Sequence, residues 1–487
     1  MSSSDQPNVV VAFSDQHRGL DVSPAGNADV HTPTLDRLAI EGSYLPRAYS
    51  THPLCGPSRA CLISGQYPIT HGVVTNELAL PTDAPSVGEA FRDAGYRTGY
   101  VGKWHLDGVP RDKWTPVGPR RQGFDDFWAV HNCVHDYFYP QYYRDSPELI
   151  REEGYEPAVQ TELAIEFIDA DDDRPFCLFI SWGPPHDPYR LVPDRYRDQY
   201  DAEALQLRPN VAPILPSHEA NLTTGNVDAP PVREWGERVT PTAYKAGDPY
   251  EYDDPQECYA DYYASITAVD DQLGRLVDAL NEQGLAEDTL LAYTSDHGDM
   301  LYSHGNNQKG TPYEEAIRVP FIIRWPGEIP AGTTNETLIG THDIAPTLLR
   351  LANIPVPDAM EGSDLSENLR DTTRAGPRSV ILYGENWRGI RTDRYTYACV
   401  PSDHPDLEHL SKGHALLFDN KDDPYQQTNL IYGPEYRDVR DRLRARLNEH
   451  LEHTGDPHLP LVEQVEYLGR GDDWERRQRY VAGELDA

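Results

Sequence analysis

Apolar and polar positions along the 487-residue chain fall into two periods. Short apolar runs rich in β-branched and aromatic residues predict strands over 8–13, 176–182 and 290–294. Each run ends in a polar turn loaded with chemically able side chains: Ser14-Asp15-Gln16, Pro184-Pro185-His186 and Ser295-Asp296-His297. Between them lie helical patterns. The clearest spans 259–280, with Ile266, Val269, Leu273, Leu276, Val277 and Leu280 on one stripe. Strands alternating with helices predict an α/β fold around a large, mostly parallel sheet. Ligands of such sheets bind beyond the carboxyl ends of the strands, where all three polar turns fall.

Residues 201–257 are rich in Pro, Asp, Glu and Tyr with weak periodicity, which predicts a long surface excursion, over the active site or beside it. After Pro377 the pattern changes. Residues 379–383, 387–391 and 395–400 read as antiparallel strands, and 434–453 as a charged helix. The expected organisation is an α/β catalytic domain over 1–375 and a smaller α+β subdomain with an antiparallel sheet over 376–487.

Charge alters this picture most. Eighty acidic residues against 43 basic ones give a net charge of -37. Such a surface repels nucleic acid and anionic membranes, which excludes both as partners. An anionic substrate then needs positive charge supplied locally. Lysine occurs only at positions 103, 113, 245, 309, 412 and 421. Acidic excess with scarce lysine predicts a halophilic protein, since a Debye length of about 3 Å at 1 M salt screens the self-repulsion. The six scattered cysteines form no disulfide framework, and the N-terminal apolar run is too short for a signal peptide or membrane span; a cytoplasmic location is expected.

The densest chemistry surrounds Leu54-Cys55-Gly56-Pro57-Ser58-Arg59-Ala60. Its company, in chain order, is Asp15-Gln16-His17-Arg18, Gly102-Lys103-Trp104-His105, Pro185-His186-Asp187-Pro188-Tyr189, Ser295-Asp296-His297-Gly298-Asp299 and Gln308-Lys309-Gly310. Asp343-Ile344-Ala345-Pro346-Thr347 and Leu417-Phe418-Asp419 follow. Over about residues 7–430 this ordered set resembles the sulfatases of the formylglycine type, in the alkaline phosphatase-like superfamily. In that family the cysteine is oxidised by a separate formylglycine-generating enzyme.

The resemblance implies hydrolysis of a sulfate monoester, on a small molecule or carbohydrate, with residue 55 as nucleophile. A sulfate ester needs a strong nucleophile, cations on its oxygens and an acid for the leaving alcohol. A hydrated aldehyde supplies two hydroxyls, one to attack sulfur and one to expel sulfate. Asp15, Gln16, Asp296 and His297, with residue 55, resemble the ligand set of one divalent cation. Two carboxylates and an amide suit Ca²⁺ first and Mg²⁺ next, and the imidazole admits Mn²⁺. Arg59 and Lys103 are implied to hold residue 55, and Lys103 and Lys309 the sulfate oxygens. His105 is implied to assist sulfate elimination and His186 to serve the leaving group. His52, His71, His131, His135 and His304, and Asn76, Asn306 and Asn307, stand in rim positions without an assigned role.

Gln16 stands where many sulfatases carry a second Asp. Choline sulfatases and phosphonate monoester hydrolases share that feature, so hydrolysis of a phosphonate monoester or phosphodiester is the alternative. A second alternative is an unconverted, non-catalytic binding relative. Neither the leaving alcohol nor the oligomeric state is legible in the sequence.

Overall fold

The computed structural model describes residues 6–212, 252, 254–306, 308–401 and 415–485. Most of the excursion expected over 201–257, and Asn307, lie outside the described residues.

The main sheet has eight strands: β1 (Asn8–Asp15), β2 (Ser43–Tyr44), β3 (Arg97–Lys103), β4 (Phe127–His131), β5 (Phe176–Pro185), β6 (Thr289–Ser295), β7 (Ile322–Arg324) and β8 (Thr333–Thr334). Their spatial order is β8-β2-β7-β6-β1-β5-β3-β4. The five strands from β6 to β4 are all parallel. The sheet is nevertheless mixed, because β7 runs antiparallel to both β6 and β2.

Strand β1 shows why the apolar runs are continuous rather than alternating. Val9, Val11 and Phe13 enter one core cluster, while Val10 and Ala12 enter the other. Both faces are covered, so every position is apolar until the strand leaves the core at Ser14-Asp15. On the first face lie α1 (Cys55–Ser64), through Ala60, Leu62 and Ile63, and a second helix, Thr341–Leu351, through Ile344, Leu348 and Leu349. The opposite face carries α2 (Glu156–Ile168) and α3 (Pro255–Glu282). The α3 stripe of Val269, Leu273, Leu276, Val277 and Leu280 packs there, as its period predicts. Truncating one of these leucines to alanine costs about 2–5 kcal/mol.

The C-terminal part forms a separate antiparallel sheet of β9 (Ser379–Tyr383), β10 (Arg388–Thr392), β11 (Tyr395–Cys399) and β12 (Ala415–Asp419), in that spatial order. One face packs Val380, Leu382, Ala398 and Phe418 against Tyr49, Tyr313 and Ile317 of the preceding part of the chain. The other receives Leu443, Leu447 and Leu451 of the charged helix Arg437–Thr454. That helix starts later than expected because Pro434–Tyr436 winds as a 3₁₀ turn. The strand expected from 387 begins at Arg388, because Trp387 belongs to the turn: its carbonyl accepts from Gly384 N at 2.9 Å. Two further helices, Leu461–Tyr467 and Gly471–Val481, close the chain. The latter, with Arg470 at its N-cap, reaches back to residues 72–79.

Candidate active site

Parallel pairing places the chemistry in one layer. Asp15 ends β1, Lys103 ends β3, His186 follows β5 and Asp296 follows β6. Ser14 pairs with Ser295, Asp15 with Pro185 and Gly102 with Ser181. Gly102 has φ +99°, and a β-carbon there would meet the Ser181 carbonyl oxygen at 2.1 Å. Glycine therefore lets β3 press against β5 just before Lys103. Non-glycine residues in left-handed backbone also gather here, Gln16 at φ 70° and His105 at φ 57°. Such backbone is costly and is held by its surroundings.

Cys55 opens α1, all ten residues of which are buried. Its N-terminal N–H groups and the helix dipole favour negative charge at residue 55. Cys55 Sγ lies 3.2 Å from His297 Nε2 and 3.7 Å from Asp15 Oδ1. His297 Nε2 in turn lies 3.6 Å from Asp15 Oδ1 and 3.7 Å from Asp296 Oδ1. The ligand atoms of Asp15, Cys55, Asp296 and His297 all lie within 4.8 Å of one another, fully buried. His297 Nδ1 sits 2.9 Å from the Gly298 carbonyl oxygen. With Nδ1–H donating to that carbonyl, Nε2 presents its lone pair to the carboxylates, the orientation a metal ligand needs. The donor set therefore fits one divalent cation.

Three cations surround the cluster. Arg59 Nε donates to Asp296 Oδ2 at 3.0 Å, and its Nη2 to Asp15 Oδ2 at 3.3 Å. Its Nη1 donates to the Lys103 carbonyl oxygen and to Ser181 Oγ, both at 2.7 Å. Lys103 Nζ pairs with Asp15. Lys309 Nζ donates to the Gln16 side-chain oxygen. Burial and the Cys55 charge push the Asp15 carboxyl up, yet Lys103, His186 and Arg59 together hold it well below the usual range. Burial likewise opposes ionisation of Cys55, and Lys103, Lys309 and His297 overcome it, driving its pKa well down. The positive charge scarce in the sequence is concentrated here, which suits the site to an anion.

Gln16 is placed differently from the other implied ligands. Its amide oxygen faces Lys309, its amide nitrogen donates to Asp299 and Tyr189, and its backbone N–H donates to Asp296 Oδ1 at 3.0 Å. Gln16 therefore borders the candidate metal site and is tied to Lys309.

The two implied catalytic histidines sit on different sides. His186 is partly exposed, with Nδ1 2.7 Å from the Asp187 carbonyl oxygen and 3.2 Å from its carboxylate. His135 stacks on it, ring centroids 4.1 Å apart, and reaches Lys103 Nζ at 3.5 Å. His105 is buried beside Cys55, and Glu77 Oε1 lies 3.4 Å from its Nε2. Burial lowers the His105 pKa, but Cys133, Cys55 and Glu77 raise it to about 10.

Of the remaining rim residues, Asn76 Oδ1 accepts from Gly56 N at 2.8 Å, beside the nucleophile. His131 pairs with Glu156 at 3.2 Å beneath the site. His304 stacks on Tyr313 at 4.0 Å, and Asn306 donates to its carbonyl. His71 contacts Cys61 in the core, and His52 is buried nearby, close enough to feel the charge of His297. Sequence reasoning did not single out Glu77, Cys133, Ser181 or Asp299. Asp299 alone stood within a quoted motif; the others carry no local pattern and meet the site only through the fold.

Comparison with known proteins agrees with this geometry. The sulfatase family model matches residues 7–354, and the model described as N-sulphoglucosamine sulphohydrolase, C-terminal, matches residues 303–453. The chain is 36% identical over 467 residues to an ulvan-active sulfatase of Formosa agariphila, covering 93% of this chain and 82% of the relative. It is 30% identical to an arylsulfatase of Clostridium perfringens, covering 92% and 95%. Among solved structures, BT4656 in complex with its substrate D-glucosamine-2-N,6-O-disulfate superposes with a TM-score of 0.77 at 25% identity, covering 93% of this chain and 99% of that one. The chain belongs to the sulfatase family, enzymes that hydrolyse sulfuric esters.

Proposed function

We propose that this sulfatase cleaves a sulfate monoester borne by a carbohydrate, using residue 55 after conversion of Cys55 to formylglycine by a separate maturation enzyme. The observation that carries the reading is the buried convergence of Asp15, Cys55, Asp296 and His297 within 4.8 Å, ringed by Arg59, Lys103 and Lys309. The carbohydrate class is supported by the sulfated glucosamine bound to a solved relative and by the ulvan-active relative.

Asp15, Asp296 and His297 would hold one divalent cation with residue 55, and Gln16 would stand at its edge; Ca²⁺ suits the carboxylates best. When bound, the cation supplies Lewis acidity at a sulfate oxygen and at the nucleophile. The chain's own groups do the rest. Lys103 and Lys309 neutralise the sulfate oxygens, and Arg59 fixes both carboxylates and the end of β3. His186 Nε2, on the exposed side, protonates the departing alcohol oxygen. His105, buried beside residue 55, holds a proton during release of sulfate. The acidic surface supports work in concentrated salt, and six free cysteines support a reducing cytoplasm.

Two measurements test the proposal. Mass analysis of the peptide holding residue 55 is expected to show a loss of about 18 Da relative to cysteine, marking the aldehyde. Paired rates on an aryl sulfate and an aryl phosphonate monoester are expected to favour sulfate. An unmodified thiol with no metal-dependent turnover would support the binding relative, and a faster phosphonate rate would support the phosphonate hydrolase.

A further inference from the structure

Glu77 has no part in the sulfatase motifs, yet it is among the most constrained side chains near the nucleophile. It is 4% exposed and sits in left-handed backbone at φ 66°. A buried carboxylate in strained backbone persists only when its surroundings over-determine it. Four groups do so. His105 Nε2 lies 3.4 Å from Glu77 Oε1. Arg111 donates to the same oxygen from Nε, at 2.8 Å, and from Nη2. Arg477 Nε lies 3.6 Å from Glu77 Oε2 and donates to the Asn76 carbonyl oxygen at 3.0 Å. Burial alone would neutralise this carboxyl, but Arg111, His105 and Arg477 keep it charged.

Arg477 belongs to the last helix, Gly471–Val481, which lies beyond the family-matched region ending at 453. The same segment ties down neighbouring chain. Arg470 Nη2 donates to the Ala79 carbonyl oxygen at 2.7 Å, and Tyr480 OH accepts from Arg111 N at 3.3 Å. The strap 72–79 thus lies between the C-terminal helix and the nucleophile. It meets two neighbours of the nucleophile, through Asn76 on Gly56 N and through Glu77 on His105.

We propose that Glu77 is a positioning residue for His105, and that the C-terminal helix completes the active site by holding Glu77 through Arg477. The logic is geometric. Glu77 accepts the Nε2–H of the imidazole, which directs Nδ1 away from the carboxylate. His105 Nδ1 has no well-formed hydrogen bond among the described residues, and Cys133 and Cys55 both lie beside the ring. With one nitrogen committed to Glu77, the ring is held in a fixed orientation beside residue 55. The inference rests on the role given to His105 above.

The test uses the full-length protein. Glu77→Gln keeps an acceptor without charge, and Glu77→Leu removes the acceptor. We expect kcat on an aryl sulfate to fall about 10-fold for Gln and about 100-fold for Leu, with KM within about twofold. Arg477→Met is expected to lower kcat about 3- to 10-fold, and Arg477→Lys to recover most of it. A second readout needs no turnover. Histidine-selective ¹⁵N NMR of the unconverted cysteine form, with the His105 signals identified by their absence in His105→Asn, should show a hydrogen-bonded Nε2–H that Glu77→Leu abolishes. Wild-type kcat in Glu77→Leu, or an unmoved His105 Nε2 signal, would overturn the positioning role. A drop in kcat shared equally by Arg477→Met and Arg477→Lys would overturn the part assigned to the helix. A wild-type enzyme inactive on every sulfate ester, with the NMR result intact, would instead count against the proposed function.

Discussion

Arg59 Nε lies 3.0 Å from Asp296 Oδ2, and the same guanidinium reaches Asp15 and the end of β3. One planar fork therefore spans the ends of the first, third and sixth strands of the main sheet, all four groups being fully buried. Lysine cannot reproduce that fork. Arg59→Lys is expected to lower kcat/KM at least about 100-fold, since both carboxylates lose their fixed orientation. Arg59→Met leaves two buried carboxylates partly uncompensated, and should cost about 3–5 kcal/mol in urea unfolding. Wild-type stability in Arg59→Met would show that Lys103 alone balances Asp15.

Dialysis against a chelator is expected to abolish turnover, and Ca²⁺ to restore it. Mg²⁺ and Mn²⁺ should restore less, because the two buried carboxylates form a hard, charge-rich set. A cation present at 100 times its Kd should raise stability by about 2.7 kcal/mol, seen as a higher Tm. Asp296→Asn should lose both the activity and the metal-dependent Tm shift. Its loss of Arg59 pairing would appear separately, as a lower Tm in chelator alone.

The strand ends were readable because parallel strands buried on both faces carry continuous apolar runs, as at Val9, Val10, Val11, Ala12 and Phe13. The break to polar residues then marks the site. The α3 helix was readable from its 3.6-residue stripe. The Asp15, Cys55, Asp296 and His297 cluster came from motif order, since nothing in a sequence says that residues 15 and 296 touch. Glu77 and Arg477 were invisible for the same reason: 400 positions separate them, and each looks like an ordinary surface charge. The short strands β2, β7 and β8 were missed because two or three residues cannot show a period.

Net charge -37 sets the salt dependence. The Debye length shrinks from about 10 Å at 0.1 M to about 3 Å at 1 M, so repulsion among exposed Asp and Glu is screened. Raising KCl from 0.1 to 2 M is expected to raise Tm. The buried Arg59 and Lys103 pairs are shielded from salt and should not weaken in parallel. Thermal melts in KCl and in equimolar tetramethylammonium chloride would check this. A Tm that falls with both salts would mean that surface ion pairs outweigh the repulsion.

Acid should unfold the protein through histidines buried in neutral form. Burial, reinforced by Arg388 and His71, lowers the His52 pKa to about 3. Burial and Arg470 lower that of His71 to about 3. The unfolded chain titrates these groups near the ordinary value of about 6.5, so between the two values it binds protons that the folded state refuses. Stability is therefore fully present above about pH 6.5 and falls as pH drops toward 3. The expected slope is about 1.4 kcal/mol per pH unit for each histidine. Urea unfolding between pH 7.5 and 4.5 should show it, and His52→Gln with His71→Gln should flatten it, whatever they cost at pH 7.5. An unchanged slope in the double variant would assign the acid sensitivity to other groups.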